Sequence, residues 1–238
     1  MKIAILGYGR MGKTIEEIAI ARGHKIALKI SDDIASYDLN KANIDVAIDF
    51  SIPKAAFKNI TTCFKHGIPV VSGTTGWLDK YEKAVTICQE EESAFLYASN
   101  FSIGVNVFFE LNKKLAHMMK NLDEYAVDVE EIHHIKKLDA PSGTAISLAE
   151  QIMAENEKLT GWQLDHAEKN EIPVYAKRIA DVPGTHTVAY RSPIDSIEIM
   201  HTAHSRQGFA KGAVIAAEWL QDKQGVFSMR DVLSSLFE

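Results

Sequence analysis

Between Glu130 and Thr144 the sequence reads EEIHHIKKLDAPSGT, and its reactive side chains crowd together there. His133, His134, Lys136, Lys137 and Asp139 all fall within seven positions. Histidine titrates near neutrality, and a partly desolvated lysine gives up its proton in the same range, so a His–Lys pair suits general acid–base work. Alternate residues of an extended chain share a face, which would bring His133 and Lys137 together if the strand expected over 125–135 runs on. Directly afterwards Ser142-Gly143-Thr144 opens a helix with an apolar stripe at Ile146, Leu148, Ala149 and Ile152. The free N–H groups of such a first turn, the Thr144 hydroxyl and the positive end of the helix dipole together suit a carboxylate. A polar strand end or an ordinary N-cap explains either feature alone. Their conjunction points to acid–base chemistry on an anionic small molecule.

A second constellation lies at the other end. Gly7-Tyr8-Gly9-Arg10-Met11-Gly12 is a GxGxxG that follows an apolar run, Lys2 to Leu6, and opens an amphipathic helix. In that context the first glycine permits the tight turn, the second lets a pyrophosphate approach the backbone, and the third allows close helix–strand packing. The pattern predicts a dinucleotide, NADH and/or NADPH. Asp32 and Asp33 stand where a ribose-binding acid would favour NAD, whereas Lys29 beside them would favour the 2′-phosphate of NADP, so the residues leave the choice open. Gly73-Thr74-Thr75-Gly76 and Ser99-Asn100-Phe101-Ser102 follow later strands and are placed to touch the cofactor. No metal is expected, because His133-His134 and the pair His201 and His204 do not make a closed zinc set. There is no GxSxG nucleophile elbow and no Walker A lysine.

The elements that must position these residues change character along the chain. Up to about residue 103, apolar runs alternate with helical periodicity, the pattern of a parallel sheet covered by helices. Beyond it come a long helix over 105–122, the strand over 125–135, a helix over 143–157, and strand-like runs over 174–180, 185–191 and 196–204. Helical patterns over 208–220 and 228–237 are expected to return to the first domain. The fold class is therefore α/β: an N-terminal Rossmann parallel sheet plus a C-terminal α+β domain with a mixed or antiparallel sheet. The expected division is 1–103 with 206–238 for the dinucleotide and 104–205 for substrate and oligomerisation.

Composition sets the remaining bounds. The 238 residues carry a net charge of -6, against the basic footprint of a duplex nucleic-acid binder. No apolar run is long enough to span a membrane, and the opening apolar stretch is too short for a signal peptide. Cys63 and Cys88 form no CxxC, consistent with reduced thiols and a cytoplasmic location.

The run Glu131–Thr144 resembles the signature E-x-H-H-x-x-K-x-D-A-P-S-G-T of the 4-hydroxy-tetrahydrodipicolinate (dihydrodipicolinate) reductase family, with every fixed position present. The opening glycine loop, Asp49-Phe50-Ser51, Gly73 to Gly76, Asn100-Phe101-Ser102 with Gly104 and Asn106, Gly184 with His186-Thr187, and Phe209-Ala210 with Gly212-Ala213 resemble its other blocks in order. The resemblance implies NAD(P)H-dependent reduction of a dicarboxylate, 4-hydroxy-tetrahydrodipicolinate in its dehydrated form, on the diaminopimelate route to lysine. It implies His133 as proton donor and acceptor, Lys137 as proton donor, and His134, Gly143 and Thr144 as holders of the substrate carboxylates. It assigns the cofactor to Gly7, Tyr8, Gly9, Arg10, Met11, Gly12, Gly73, Thr74, Thr75, Ser99, Asn100, Phe101 and Ser102, and it implies a homotetramer. Lys29 and Asp32 are ribose candidates from their place after the second strand alone, because Lys29-Ile30-Ser31-Asp32 does not match the family's acid-then-basic pair. The chain departs from the pattern in lacking an extra loop glycine common in the family, and in its short stretch between the second and third strands, 31–44. Two rivals are another two-domain NAD(P) dehydrogenase and a dinucleotide-sensing protein without catalysis. The second gives no reason for the His–His–Lys cluster.

Overall fold

The structure, a computed structural model, describes residues 1–205 and 207–236. In chain order the elements are β1 (Lys2–Leu6), α1 (Arg10–Ala21), β2 (Lys25–Ile30), α2 (Leu39–Ala42), β3 (Val46–Asp49), α3 (Pro53–Phe64), β4 (Val70–Ser72), α4 (Tyr81–Glu90), β5 (Ala94–Tyr97) and α5 (Ile103–Met119). There follow β6 (Ala126–His133), α6 (Gly143–Glu155), β7 (Gly161–Leu164), β8 (Glu171–Arg178), β9 (Gly184–Arg191), β10 (Ser196–Ala203), α7 (Gln207–Leu220), β11 (Gly225–Phe227) and α8 (Met229–Leu236). The chain forms two compact units, Met1–Asn106 with Gln207–Glu238, and Val107–Arg206. The expected segment 206–238 and the helix expected over 228–237 touch Arg206, Phe237 and Glu238, which lie outside the described residues.

The first unit is a six-stranded sheet in the order β11-β5-β4-β3-β1-β2, parallel throughout. Its strands are apolar on both faces because helices cover both. One face carries Ile3, Ile5, Ile48, Val71 and Leu96 against α1 and the apolar side of α7. The other carries Ala4, Leu6, Ala47, Val70 and Phe95 against Ile60, Phe64 and Trp77. From β1 the chain goes to β2 on one side and then crosses to β3 on the other. That reversal opens a crevice at the carboxyl ends of β1 and β3, the place where open α/β sheets bind ligands. The three residues of β11 add an edge strand that the periodicity does not announce.

The second unit is a five-stranded mixed sheet, β10-β9-β6-β8-β7. β6 pairs antiparallel with β9 and parallel with β8, so it is central. Helix α6 packs its stripe Ala145, Leu148, Ala149 and Ile152 on Val129, Val174 and Val188. β6 stops at His133, two residues short of the extended run the alternation predicts. Lys137 therefore lies beyond the strand, in a turn where its N–H donates to the carbonyl of His134. The expected sharing of one strand face by His133 and Lys137 is thus corrected. Among the described residues no helix is long and apolar enough to cross a membrane.

Candidate active site

In the first unit a cleft of about 640 Å³ opens at the β1/β3 crevice. Gly7, Tyr8 and Gly9 form one wall, Ile30 to Asp33 at the end of β2 a second, and Phe50 to Ile52 with Lys54, Lys58 and Asn59 of α3 a third. Each glycine of the loop meets a different need. Gly7 has φ +94°, and a Cβ there would stand 2.2 Å from the carbonyl oxygen of Phe50. A Cβ on Gly12 would stand 2.3 Å from the carbonyl oxygen of Gly7. Gly9 is the opposite case: a Cβ there meets nothing within 4 Å among the described residues, so the missing side chain leaves open room over the backbone. Gly9 is also the N-cap of α1 and has no side chain with which to bond the helix's leading N–H groups. A phosphate-bearing dinucleotide fits this cradle on both counts.

Of the ribose candidates, Asp32 lines the cleft and accepts a hydrogen bond from Tyr37 Oη at 2.7 Å. Asp33 caps a short 3₁₀ turn through Ala35 N–H and pairs with Lys58 at 2.7 Å. Lys29 turns elsewhere: its ammonium lies 2.6 Å from Glu16 and 4.9 Å from the centre of the Tyr8 ring, and Tyr8 Oη donates to Glu16. The basic groups that line the cleft are Lys54 and Lys58, which no motif singles out.

Beneath the cleft lies Asp49, with no solvent exposure. Its carboxylate accepts from Ser51 Oγ at 2.6 Å, Thr74 Oγ1 at 2.7 Å and Ser72 Oγ at 2.9 Å, while Ser51 N–H donates to Thr74 Oγ1. Burial pushes the Asp49 carboxyl above its usual range, and the hydroxyl donors oppose that shift. The network ties the loop after β3 to the loop after β4, so it sets the position of Gly73, Thr74 and Thr75. Phe101 is buried against Phe50, with ring centres 5.7 Å apart. Ser102 N–H donates to Asn100 Oδ1, and Asn106 Nδ2 donates to the carbonyl of Asn100, which fixes the loop from Ser99 to Ser102.

In the second unit the centre is a carboxylate at the middle of the sheet. Glu131 on β6 is fully buried. Its Oε1 accepts from Arg178 Nη2 at 3.1 Å and its Oε2 from Ser142 N–H at 3.0 Å. His133 Nδ1 lies 3.5 Å from Oε2, and His186 Nε2 lies 3.8 Å from the same oxygen. The His133 and His186 rings meet edge to face at 5.0 Å. Desolvation lowers the His133 pKa first of all; Glu131 works against this, while Lys137 and Arg178 reinforce it. His186 is pushed down to about 3, again chiefly by burial, so both imidazoles are neutral near pH 7. Lys137 reaches both oxygens of Asp139, at 2.7 and 2.8 Å, and Arg178 Nη2 also donates to the Asp139 carbonyl at 2.6 Å. Gly184 lies beside His133: a Cβ there would come within 3.1 Å of His133 Nε2, so the glycine keeps that edge of the ring uncrowded.

Helix α6 begins beside this cluster. Ser142 Oγ caps it through Ala145 N–H at 3.3 Å and also touches His186 Nε2 at 3.2 Å. That leaves the leading N–H groups of Gly143 and Thr144 without intrahelical acceptors, and a Cβ at Gly143 would meet open space among the described residues. His134 lines a separate cavity of about 360 Å³ with Ile135, Lys136 and Ala180 to Pro183. Glu131, His133 and His186 stand close enough to hold a cation. Arg178 already matches the carboxylate's charge and Lys137 adds to the positive field, so a divalent ion would enter against two cations.

Comparison with known proteins accounts for both halves of this arrangement. The model for the N-terminus of dihydrodipicolinate reductase matches residues 1–101, and that for its C-terminus matches residues 104–233. A 4-hydroxy-tetrahydrodipicolinate reductase from Christiangramia forsetii is 70% identical over 238 residues, the full length of both chains. The chain belongs to the dihydrodipicolinate reductase family. Like that family it is an oxidoreductase that uses NAD(P)H. Among solved structures, a dipicolinate-bound dihydrodipicolinate reductase from Paenisporosarcina sp. shares the fold, with a TM-score of 0.82 at 18% identity over 96% of this chain and 97% of that one. Aspartate dehydrogenase from Thermotoga maritima is more distant, with a TM-score of 0.52 at 15% identity over 94% and 97%. Sequence reasoning gave no role to Glu131 or His186, although both stand in the motif blocks quoted above, and it did not single out Arg178. Glu131 sits inside the signature run, where it reads as strand, and the other two come from β8 and β9.

Proposed function

We propose that the chain reduces 4-hydroxy-tetrahydrodipicolinate, through its dehydrated form, to tetrahydrodipicolinate on the diaminopimelate route to lysine. The observation that carries the assignment of roles is a buried imidazole, His133, lying in the field of the Lys137 ammonium and near an open helix start. The Gly7–Gly12 loop, the Asp32 wall and the loops at Gly73–Thr75 and Ser99–Ser102 would hold the dinucleotide, whose reduced nicotinamide supplies a hydride when bound. Gly143 and Thr144 receive a substrate carboxylate through backbone N–H groups at a helix N-terminus, and His134, which lines a cavity with Lys136 and Ala180 to Pro183, takes its carboxylate role from the family resemblance alone. Lys137 delivers the proton that balances the negative charge developing on the ring. His133, neutral at rest, offers one N–H and one lone pair and so hands on a proton rather than holding one. The dipicolinate bound by the Paenisporosarcina relative supports a planar dicarboxylate as the ligand class.

Two further readings go with this one. Among the described residues the outer edge of β10 is unpaired, and β10 exposes Ile197 and Met200, which supports association through this sheet into a homotetramer. Cys63 and Cys88 are both free and buried, which supports a reducing, cytoplasmic setting. The test of function is parallel consumption of NADH and NADPH with freshly generated 4-hydroxy-tetrahydrodipicolinate. Turnover with either cofactor supports the assignment, and none with both sinks it. Light scattering at micromolar concentration reads the oligomer, and a monomeric mass would remove the tetramer.

A further inference from the structure

We infer that Arg178 is a positioning residue that sets the place of the Lys137 ammonium through the backbone of its loop. The inference rests on the role given to Lys137 above. After β6 the chain leaves the sheet at His133 and enters α6 at Ser142. Between them Ile135, Lys136, Leu138, Asp139 and Ala140 are exposed, so packing does little to hold the loop. It is held instead by polar ties. At its start the carbonyl of His133 accepts from Ile179 N–H at 2.8 Å. At its end Ser142 N–H donates to Glu131 at 3.0 Å. On the far side Arg178 Nη2 donates to the carbonyl of Asp139 at 2.6 Å, and Asp139 is the residue whose carboxylate grips Lys137 at both oxygens.

The same Arg178 Nη2 also bonds Glu131, and its Nη1 donates to the carbonyl of Lys177 on β8. Glu131 is thus a common anchor, bonding Ser142 directly and Asp139 through Arg178. His133 lies 3.5 Å from the same carboxylate. One buried anion therefore keeps the two acid–base side chains in register. A guanidinium suits this task because its planar fork reaches a carboxylate and two carbonyls at once, which a lysine ammonium on a flexible stem does not reproduce.

The experiment is a double-mutant cycle of Arg178→Lys with Lys137→Ala, read as kcat in the NADH-linked assay. Arg178→Lys keeps a positive charge for buried Glu131, which Arg178→Gln would strand, and urea unfolding of both variants reports whether the fold survives. In the parent, Arg178→Lys is expected to lower kcat by about 10-fold or more, with the NADH dissociation constant unchanged. In the Lys137→Ala background the same substitution is expected to cost less than about 2-fold, because its target is already gone. Amides 135–140 of folded Arg178→Lys are expected to exchange hydrogen faster than the parent's. An equal loss in both backgrounds, or unchanged kcat and exchange in Arg178→Lys, overturns the inference and leaves the role of Lys137 standing. Near-normal turnover of Lys137→Ala alone removes that role, and this inference with it.

Discussion

Gly9→Ala is expected to weaken dinucleotide binding while leaving the fold in place. The added methyl meets no atom within 4 Å among the described residues, and the backbone there has an ordinary negative φ of -85°. The cost to folding is confined to the exchange of glycine for alanine at an N-cap, about 0.5–1 kcal/mol, or a few degrees in Tm. The cost to binding is larger, because the methyl projects into the room through which a pyrophosphate would approach α1. Losing one charge-assisted hydrogen bond to the phosphate is worth roughly 1.5–3 kcal/mol, which is a roughly 10- to 150-fold rise in the Kd for NADH. Gly7→Ala provides the contrast: its positive φ and the Phe50 carbonyl at 2.2 Å force the backbone to move, so about 3 kcal/mol or more of stability goes first. Calorimetric titration with NADH and thermal unfolding of both variants separate the two effects. Wild-type NADH affinity in a folded Gly9→Ala protein would refute the placement of the phosphates at this loop.

Lys137→Ala is expected to lower kcat by roughly 10²–10⁴-fold with NADH binding intact, in steady-state assays paired with titration, and near-normal turnover would count against the proton-donor role. His186 has a folded pKa of about 3 against 6.5 in the open chain, so the unfolded state binds the extra proton between those values. Its contribution to stability is complete above pH 6.5 and is lost as pH falls toward 3, at up to about 1.4 kcal/mol per pH unit. His186→Gln should flatten the rise of unfolding free energy between pH 4 and 6, and parallel slopes in urea titrations would contradict this. A Cβ at Gly212 in α7 would lie 1.7 Å from the carbonyl oxygen of Phe101. Gly212→Ala should therefore cost about 1–3 kcal/mol or more and several degrees of Tm, and an unchanged melting curve would show that the helix shifts freely.

The parts of the fold legible in the sequence are those whose physics is local. An apolar run broken by Gly7 and followed by a helical stripe says strand, turn and helix without tertiary help, and the alternation up to residue 103 implies a parallel sheet. The short pieces escape for an equally physical reason. β7 (Gly161–Leu164) and β11 (Gly225–Phe227) are too brief to show a period and form only because a neighbouring strand offers its edge. β6 ends at His133 because its pairing with β8 ends there, opposite Arg178, and alternation alone cannot show where a partner stops. The chemical cluster was visible as a run of types, whereas its geometry was not. The hold of Arg178 on Glu131 and the crowding of His186 against His133 join strands far apart in sequence.

The sheet order has a consequence for synthesis. β5 lacks its outer neighbour until residues 225–227 arrive, and the face of Ile3, Ile5, Val71 and Leu96 lacks α7 until residues 207–220 arrive. The whole of 107–206 is translated in between. At ordinary elongation rates of 5–20 residues per second, the half-finished nucleotide sheet waits roughly 5–20 s with an oily face that α1 covers only in part. The inserted unit has all five of its strands before then and is free to fold on the ribosome. The dinucleotide-binding unit, though begun first, is finished second, and in that interval the nascent chain has most need of a chaperone.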